Sequence, residues 1–332
     1  MKSEKELVAV TGGAGYIGST LCRDLLLTGK YRIRIIDSLI YGGAAIKNLI
    51  NHPDIELIKI DIRKSDELLG YIKDCRHIIH LAALVGDKLC DKNPVSAVEI
   101  NYKSTTRLID NALRCGVEKF IFASTSSNYG IMDCSMTADE KSDLNPVSLY
   151  AETKVDAEKY LMKCTEKKFC PVLLRFASAF GISGRTRFDL SVNSFTYEAL
   201  RDNKIIVFAS NTWRPYIHVS DMCRAIIAAL EKEELSVKNE VFNVGSNSMN
   251  FQKIYIARAI QKILTDVKVD FIEKKDDRSY KLDFSKIKKV MNYDNTRSLE
   301  AGIIELIKII GAGFISEEYF LDNSLDRIKT IV

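Results

Sequence analysis

The sequence predicts an α/β fold: a doubly wound parallel sheet with helices on both faces, joined to a smaller mixed C-terminal lobe. Short apolar runs alternate with helical stretches from Leu7 to Phe176, with little else between them. Such alternation builds parallel strands joined by helical crossovers. Beyond Phe176 the pattern loosens into helical stretches mixed with short strands. A third observation points to a single site. The unusual polar residues follow the first five strands, and open sheets of this class bind ligands beyond the carboxyl ends of their strands. The expected division is residues 1–176 for the sheet unit, with a return segment near 215–245, and 177–332 for a substrate lobe.

The first strand is the apolar run Leu7–Val10. Gly12, Gly13 and Gly15 then allow a turn whose backbone can approach a phosphate, and Gly18 lets the next helix pack on the strand. That helix runs to about Thr28, with Ile17, Leu21 and Leu25 on one face and Gly29 past its end. Its N-terminus makes an anion site suited to a pyrophosphate. The second strand, Ile33–Ile36, ends on Asp37, about 20 residues beyond the last glycine, where a carboxylate accepts from adenosine ribose hydroxyls. Asp37 repels a 2′-phosphate, so the cofactor reading is NAD rather than NADP.

A loop with Tyr41 follows. The third strand, Ile55–Ile60, leads to Asp61-Ile62-Arg63, where a carboxylate can meet an adenine amino group. The fourth, His77–Ala83, ends in small residues. Pro94–Cys115 reads as one helix stopped by Gly116, Lys119–Ser124 as the fifth strand, Leu149–Lys167 as a long helix, and Val172–Phe176 as the sixth strand. Further on, helices are expected at Ser191–Arg201, Ser220–Lys232, Phe251–Leu264 and Leu299–Ile310, and a strand at Ile205–Phe208.

At 332 residues the chain can bury a large core, and its 46% apolar and 28% charged residues are ordinary for a globular protein. A net charge of +4 without a basic tail or stripe argues against nucleic acid. No stretch is long and apolar enough for a membrane span, and the charged start lacks a signal-peptide core. The eight cysteines form no C-x-x-C and no zinc-spaced cluster, so neither disulfides nor a metal is expected, and scattered thiols fit a reducing cytoplasm.

The chemistry concentrates at Tyr150-Ala151-Glu152-Thr153-Lys154, which puts Tyr and Lys one turn apart on one helix face. This spacing occurs for one of 14 tyrosines, and that one opens the helix after the fifth strand. A lysine beside a phenol favours the phenolate. A tyrosine titrating near neutrality can then take a proton from an alcohol as a hydride leaves to a nicotinamide. The run Ser124–Gly130 after the fifth strand offers hydroxyls to hold the reacting oxygen, although such a cluster is more often a polar turn.

These pieces together resemble the extended short-chain dehydrogenase/reductase family of nucleotide-sugar epimerases and dehydratases, with its Rossmann-type sheet. They are Thr11–Gly18, Asp37, Asp61–Arg63, His80–Ala83, Asn101, Ser124-Thr125 to Tyr129-Gly130, Tyr150 to Lys154, Arg214–Asp221 and Asn243–Gly245. The resemblance implies a catalytic trio of Thr125, Tyr150 and Lys154. It implies that NAD lies against Gly12, Gly15, Tyr16, Ile17, Gly18, Asp37, Asp61, Ile62, Leu81, Ala82, Ala83, Asn101, Tyr150 and Lys154. On the substrate side it implies Val85, Thr125, Ser126, Arg187, Asn193, Arg214 and Arg278, with Asn193, Arg214 and Arg278 at positions that contact the diphosphate.

Two departures narrow the outcome. Ser126 and Ser127 stand where the family's dehydratases carry Asp-Glu, which argues against 4,6-dehydration. Ser178 stands where galactose epimerases have Asn. The stretches Leu84–Cys90 and Arg185–Asn193 resemble enzymes acting on GDP-linked heptoses, including a C4 dehydrogenase. The resemblance therefore implies an NAD-dependent enzyme oxidising the C4 hydroxyl of a nucleotide-diphosphate sugar for surface polysaccharide. It also implies a cytoplasmic homodimer pairing through the helices around Asn101 and Tyr150. The alternatives are a 4-keto-sugar reductase, a UDP-glucuronate decarboxylase, or a catalytically silent NAD-binding regulator.

Overall fold

The computed structural model describes residues 5–133, 136–164, 166–273, 278–316 and Tyr319; Cys134 lies outside them. The first half runs β1 (Glu6–Thr11), α1 (Tyr16–Thr28), β2 (Tyr31–Asp37), β3 (Ile55–Lys59), α2 (Ser65–Ile72) and β4 (His77–His80). It continues with α3 (Asp87–Lys92), α4 (Pro94–Val98), α5 (Ser104–Arg114), β5 (Lys119–Thr125), α6 (Leu149–Leu161) and β6 (Cys170–Phe176). The second half adds β7 (Ser178–Phe180), α7 (Ser191–Asp202), β8 (Lys204–Phe208), β9 (Trp213–His218), α8 (Val219–Glu231), α9 (Glu234–Val237) and β10 (Glu240–Val244). It ends with β11 (Asn250–Gln252), α10 (Lys253–Ile263), β12 (Lys268–Ile272), α11 (Ser285–Met291) and α12 (Leu299–Gly311).

A seven-stranded sheet takes the order β10-β6-β5-β4-β1-β2-β3, and every pairing in it is parallel. The order reverses between β1 and β4, which opens a crevice at their carboxyl ends. The strands read as unbroken apolar runs because both faces are covered. Successive side chains point to opposite faces. Val8, Val10, Ile33, Ile35 and Ile121 join one cluster with Leu21 and Leu25 of α1 and Ile226 of α8. Ala9, Ile36, Ile78, Phe120 and Phe122 join the other with α2, α5 and α6. The segment from α8 to β10 returns to this sheet beside β6. A third cluster, including Phe180, Val192, Ile205, Ile256 and Ile303, packs the small sheets β11-β9-β7 and β12-β8.

Three elements differ from the sequence reading. The helix expected to reach Lys167 stops at Leu161: Lys163 and Cys164 turn back onto the Tyr160 and Leu161 carbonyls at 3.1 Å, which brings Phe169 and Cys170 into the core. The fourth strand ends at His80; the Leu81 amide makes a last bond to the Thr11 carbonyl at 3.1 Å, and Ala82 and Ala83 leave the ladder at the crevice. The helix expected over Pro94–Cys115 is interrupted by a π-helical turn, Glu99–Lys103, a form common at functional sites.

Beneath the crevice lies a charged pair that periodicity does not reveal. Arg175 of β6 donates from Nη2 to Glu158 Oε2 of α6 at 2.7 Å, and both are almost fully buried. Glu158 also accepts from Asn128 Nδ2 at 2.8 Å and from Ser124, while Arg175 reaches the Tyr129 hydroxyl at 3.0 Å. Removing one member leaves a buried charge unpaired. Arg175→Met is therefore expected to cost about 3–5 kcal/mol in chemical denaturation, and Glu158→Leu/Arg175→Met to recover most of that loss.

Candidate active site

The crevice widens into a cavity of about 780 Å³ at the carboxyl ends of the central strands. Its floor is the glycine turn. Gly12 has φ +72°, and a Cβ there would lie 2.8 Å from the Ala82 amide. A Cβ on Gly18 would run into the Gly12 carbonyl and lie 2.6 Å from Gly13 Cα. These contacts fix the first turn of α1, whose N-cap, Gly15, offers no side-chain acceptor to the helix amides. An uncapped helix N-terminus facing a cavity is suited to an anion. Asp37 closes this end. Its carboxylate accepts from the amides of Ala14 at 3.0 Å and Leu39 at 2.8 Å. Burial nevertheless holds its carboxyl above the usual range. Tyr16 and Ile17 line the same wall, the Tyr16 hydroxyl donating to the Gly181 carbonyl at 2.9 Å. Asp61 and Ile62 line it too, with Asp61 paired to Arg63 at 2.8 Å, and Leu81, Ala82 and Ala83 follow. A glycine cradle, an uncapped helix start and an acid at the next strand end fit an NAD-type dinucleotide.

Thr125, Tyr150 and Lys154 line the middle of the cavity. Ser148 caps α6 by accepting from the Ala151 amide at 3.3 Å, and donates to Asp87 at 2.7 Å, so Tyr150 is fixed in the first helical turn. Burial pushes the Tyr150 phenol well up; the Arg187 guanidinium and a hydrogen bond with Thr125 oppose this. Lys154 is 2% exposed. Its Nζ donates to the Ala123 carbonyl at 2.9 Å and lies 4.6 Å from the centre of the Phe122 ring. The expected arrangement, with Lys154 beside the phenol, is thus modified: Arg187 leads the groups that lower the phenol, and Lys154 is held by the end of β5. Burial pulls Lys154 down to about 8, opposed by Glu158 and Cys90.

Val85, Ser126, Arg187, Arg214 and Arg278 line the remaining wall. The Ser126 hydroxyl pairs with that of Tyr280 at 3.1 Å. Arg187 pairs with Asp189, its Nε donating at 2.9 Å. Arg214 donates to the Arg278 carbonyl and stacks over Tyr280, 5.2 Å from the ring centre. Arg278 pairs with Asp87. Two expected residues do not line the cavity. Asn101 is buried and binds the Leu84 amide at 2.7 Å and carbonyl at 2.9 Å. Asn193 accepts from the Gly181 amide at 2.9 Å and donates to the Arg187 carbonyl at 2.8 Å. Each amide group satisfies loop backbone, so each positions the wall from behind. Tyr41, Arg185 and Asp189, which the sequence reading named only as parts of a loop and of the Arg185–Asn193 stretch without a site role, also line the cavity. The closely spaced charges Arg185, Arg187 and Asp189 were the available signal for the two charged residues.

The depressed Lys154 has a consequence for stability. Unfolding returns the amine to its ordinary range, so between about pH 8 and 10.5 the unfolded chain binds more protons. Stability of the dinucleotide-free protein should rise with pH across that window and lose this contribution below it. Thermal melts of Lys154→Met are expected to lack that rise and to lie above the parent at pH 7.

The family model for the NAD dependent epimerase/dehydratase family matches residues 8–245. A putative UDP-glucose 4-epimerase from Methanocaldococcus jannaschii is 30% identical over 245 residues, covering 72% of this chain and 77% of the relative. UDP-glucose 4-epimerase from Bacillus subtilis is 26% identical, covering 88% and 93%. Among solved structures, UDP-glucuronic acid 4-epimerase from Bacillus cereus, in complex with UDP-glucuronic acid and NAD, superposes with a TM-score of 0.83 at 27% identity, covering 92% of this chain and 99% of that one. A matched segment spanning the glycine turn, the Tyr150–Lys154 helix and the returning strand β10 places this chain in the NAD-dependent epimerase/dehydratase family.

Proposed function

We propose that this chain oxidises a secondary hydroxyl, at C4, of a nucleotide-diphosphate sugar through a 4-keto species. The observation that carries the reading is the succession along one cavity of the glycine cradle, the Thr125–Tyr150–Lys154 group and the arginines 187, 214 and 278. Bound NAD supplies a nicotinamide ring that accepts a hydride. Gly12, Gly15, Tyr16, Ile17 and Gly18 hold its pyrophosphate region, Asp37 its adenosine ribose, and Asp61 and Ile62 its adenine. Arg214 and Arg278 take the substrate diphosphate, because a guanidinium fork matches phosphate oxygens.

Thr125 orients the sugar hydroxyl against Tyr150, and the Tyr150 oxygen takes its proton. Burial favours the protonated phenol, so the base form depends on cationic neighbours. Arg187 is the first of these and Lys154 holds positive charge at the β5 end. Ser126 and Ser127 provide no acid–base pair for elimination, so the keto sugar is reduced on the other face or released rather than dehydrated. The likeness in the Leu84–Cys90 and Arg185–Asn193 stretches favours a GDP-linked heptose, and a homodimer formed through α5 and α6 completes the reading.

A thermal-shift screen of UDP-, GDP-, CDP- and dTDP-sugars tests the substrate class, since a specific ligand raises the melting temperature by mass action. No shift with any of them removes the nucleotide-sugar reading. Tyr150→Phe is expected to abolish sugar-dependent reduction of NAD, followed at the NADH absorbance, while still binding dinucleotide. Arg187→Met is expected to raise the phenol further, moving the acidic limb of the kcat/KM profile to higher pH. An unmoved limb would assign the limb to another group.

A further inference from the structure

The loop between β7 and α7, Gly181–Leu190, crosses to the Asp37 end of the cavity and docks on the loop after β2. Gly184 approaches Ala45 so closely that a Cβ would lie 2.6 Å from the Ala45 carbonyl oxygen and 3.1 Å from its Cα. The next residue, Arg185, lays its guanidinium on the Tyr41 ring, 3.4 Å from the ring centre. The loop is itself shaped for this. The Arg185 amide donates to Ser183 Oγ at 3.1 Å, Thr186 Oγ1 to the Ser183 carbonyl at 3.0 Å, and the Thr186 amide to the Tyr319 hydroxyl at 2.8 Å. Arg185 and Tyr41 both line the cavity. The Arg185 charge acts on Asp37, yet its Nε is buried without a hydrogen-bond partner among the described residues. A buried donor left unpaired is costly, and that cost is relieved when the guanidinium turns from the Tyr41 ring toward a ligand's oxygen in the cavity that Arg185 lines.

We propose that Arg185 is a cofactor-retaining residue, a donor to the adenosine ribose held at Asp37, and that the Gly181–Leu190 loop is a strap that must lift from Tyr41 and Ala45 before the dinucleotide leaves. This rests on the reading of the Asp37 end as the adenosine site. The strap also ties retention to substrate binding. The same loop carries Arg187, which faces Tyr150, so a sugar nucleotide engaged by Arg187 holds the strap down over the cofactor.

The test is the release rate of bound NADH, followed by its fluorescence on mixing with excess unlabelled NAD. Arg185→Gln and Gly184→Ala are each expected to release about tenfold faster or more. Gly184→Ala leaves the guanidinium intact and acts only by propping the loop, so it decides the matter if Arg185→Gln lowers the melting temperature of the dinucleotide-free protein. Release at the parent rate in Gly184→Ala and Arg185→Gln overturns the proposal. So does a loss of NADP binding in Arg185→Gln with NADH release unchanged, because that would make Arg185 a receptor for a 2′-phosphate. Asp37→Asn separates the two levels. Fast release there with parent-like release in both strap variants sinks only the strap, whereas parent-like release in Asp37→Asn sinks the adenosine-site reading.

Discussion

The site depends on three backbones meeting with no side chain between them. Gly12 touches Ala82 after β4, and Gly18 in α1 touches Gly12 and Gly13. Because the strand order reverses between β1 and β4, this contact sits where the sheet opens. It sets the start of α1, and with it the direction in which uncapped amides face the cavity. It also fixes the exit of β4, whose Leu81–Ala83 form the facing wall. Close-packed backbone cannot yield as a flexible side chain can. The geometry of the cradle is therefore held by sterics rather than by attraction.

Around that fixed point the charges are arranged by burial. Lys154 is anchored to a strand-end carbonyl beside a ring. One turn along the same helix Glu158 is fully engaged with Arg175, Asn128 and Ser124. The helix that presents Tyr150 is thus pinned to β5 and β6 from below. Its cap, Ser148, is pinned to Asp87, which in turn holds Arg278. Groups with expected roles at either end of the reaction, the phenol and an arginine, share one chain of polar contacts. Burial favours the neutral forms of the phenol and the amine; the cations and carboxylates placed within reach decide how far each departs from that.

The second half of the chain contributes walls to this cavity. Its own core packs the two small sheets. From that core the loop after β7 brings Arg185 and Arg187 over the groove laid out by the first half. Asn193 holds this loop through the Gly181 amide and the Arg187 carbonyl, so a residue expected to touch ligand acts instead on the loop that lines the cavity.

The sequence by itself determined the sheet and the addresses along it. Apolar runs long enough for two buried faces, glycines where backbones must touch, and polar residues at successive strand ends are local signals, readable because each depends on its neighbours in the chain. Tyr150 and Lys154 were legible for the same reason, being one helical turn apart. Tertiary structure decided what those residues face. Lys154 turns to the β5 carbonyl while Arg187, 37 residues after Tyr150 in sequence, supplies the leading charge at the phenol. Asn101 and Asn193 are drawn into backbone hydrogen bonds, and Arg185 arrives at Asp37 from the other half of the chain. Long-range contacts of this kind follow from how layers pack, and no periodicity or spacing encodes them.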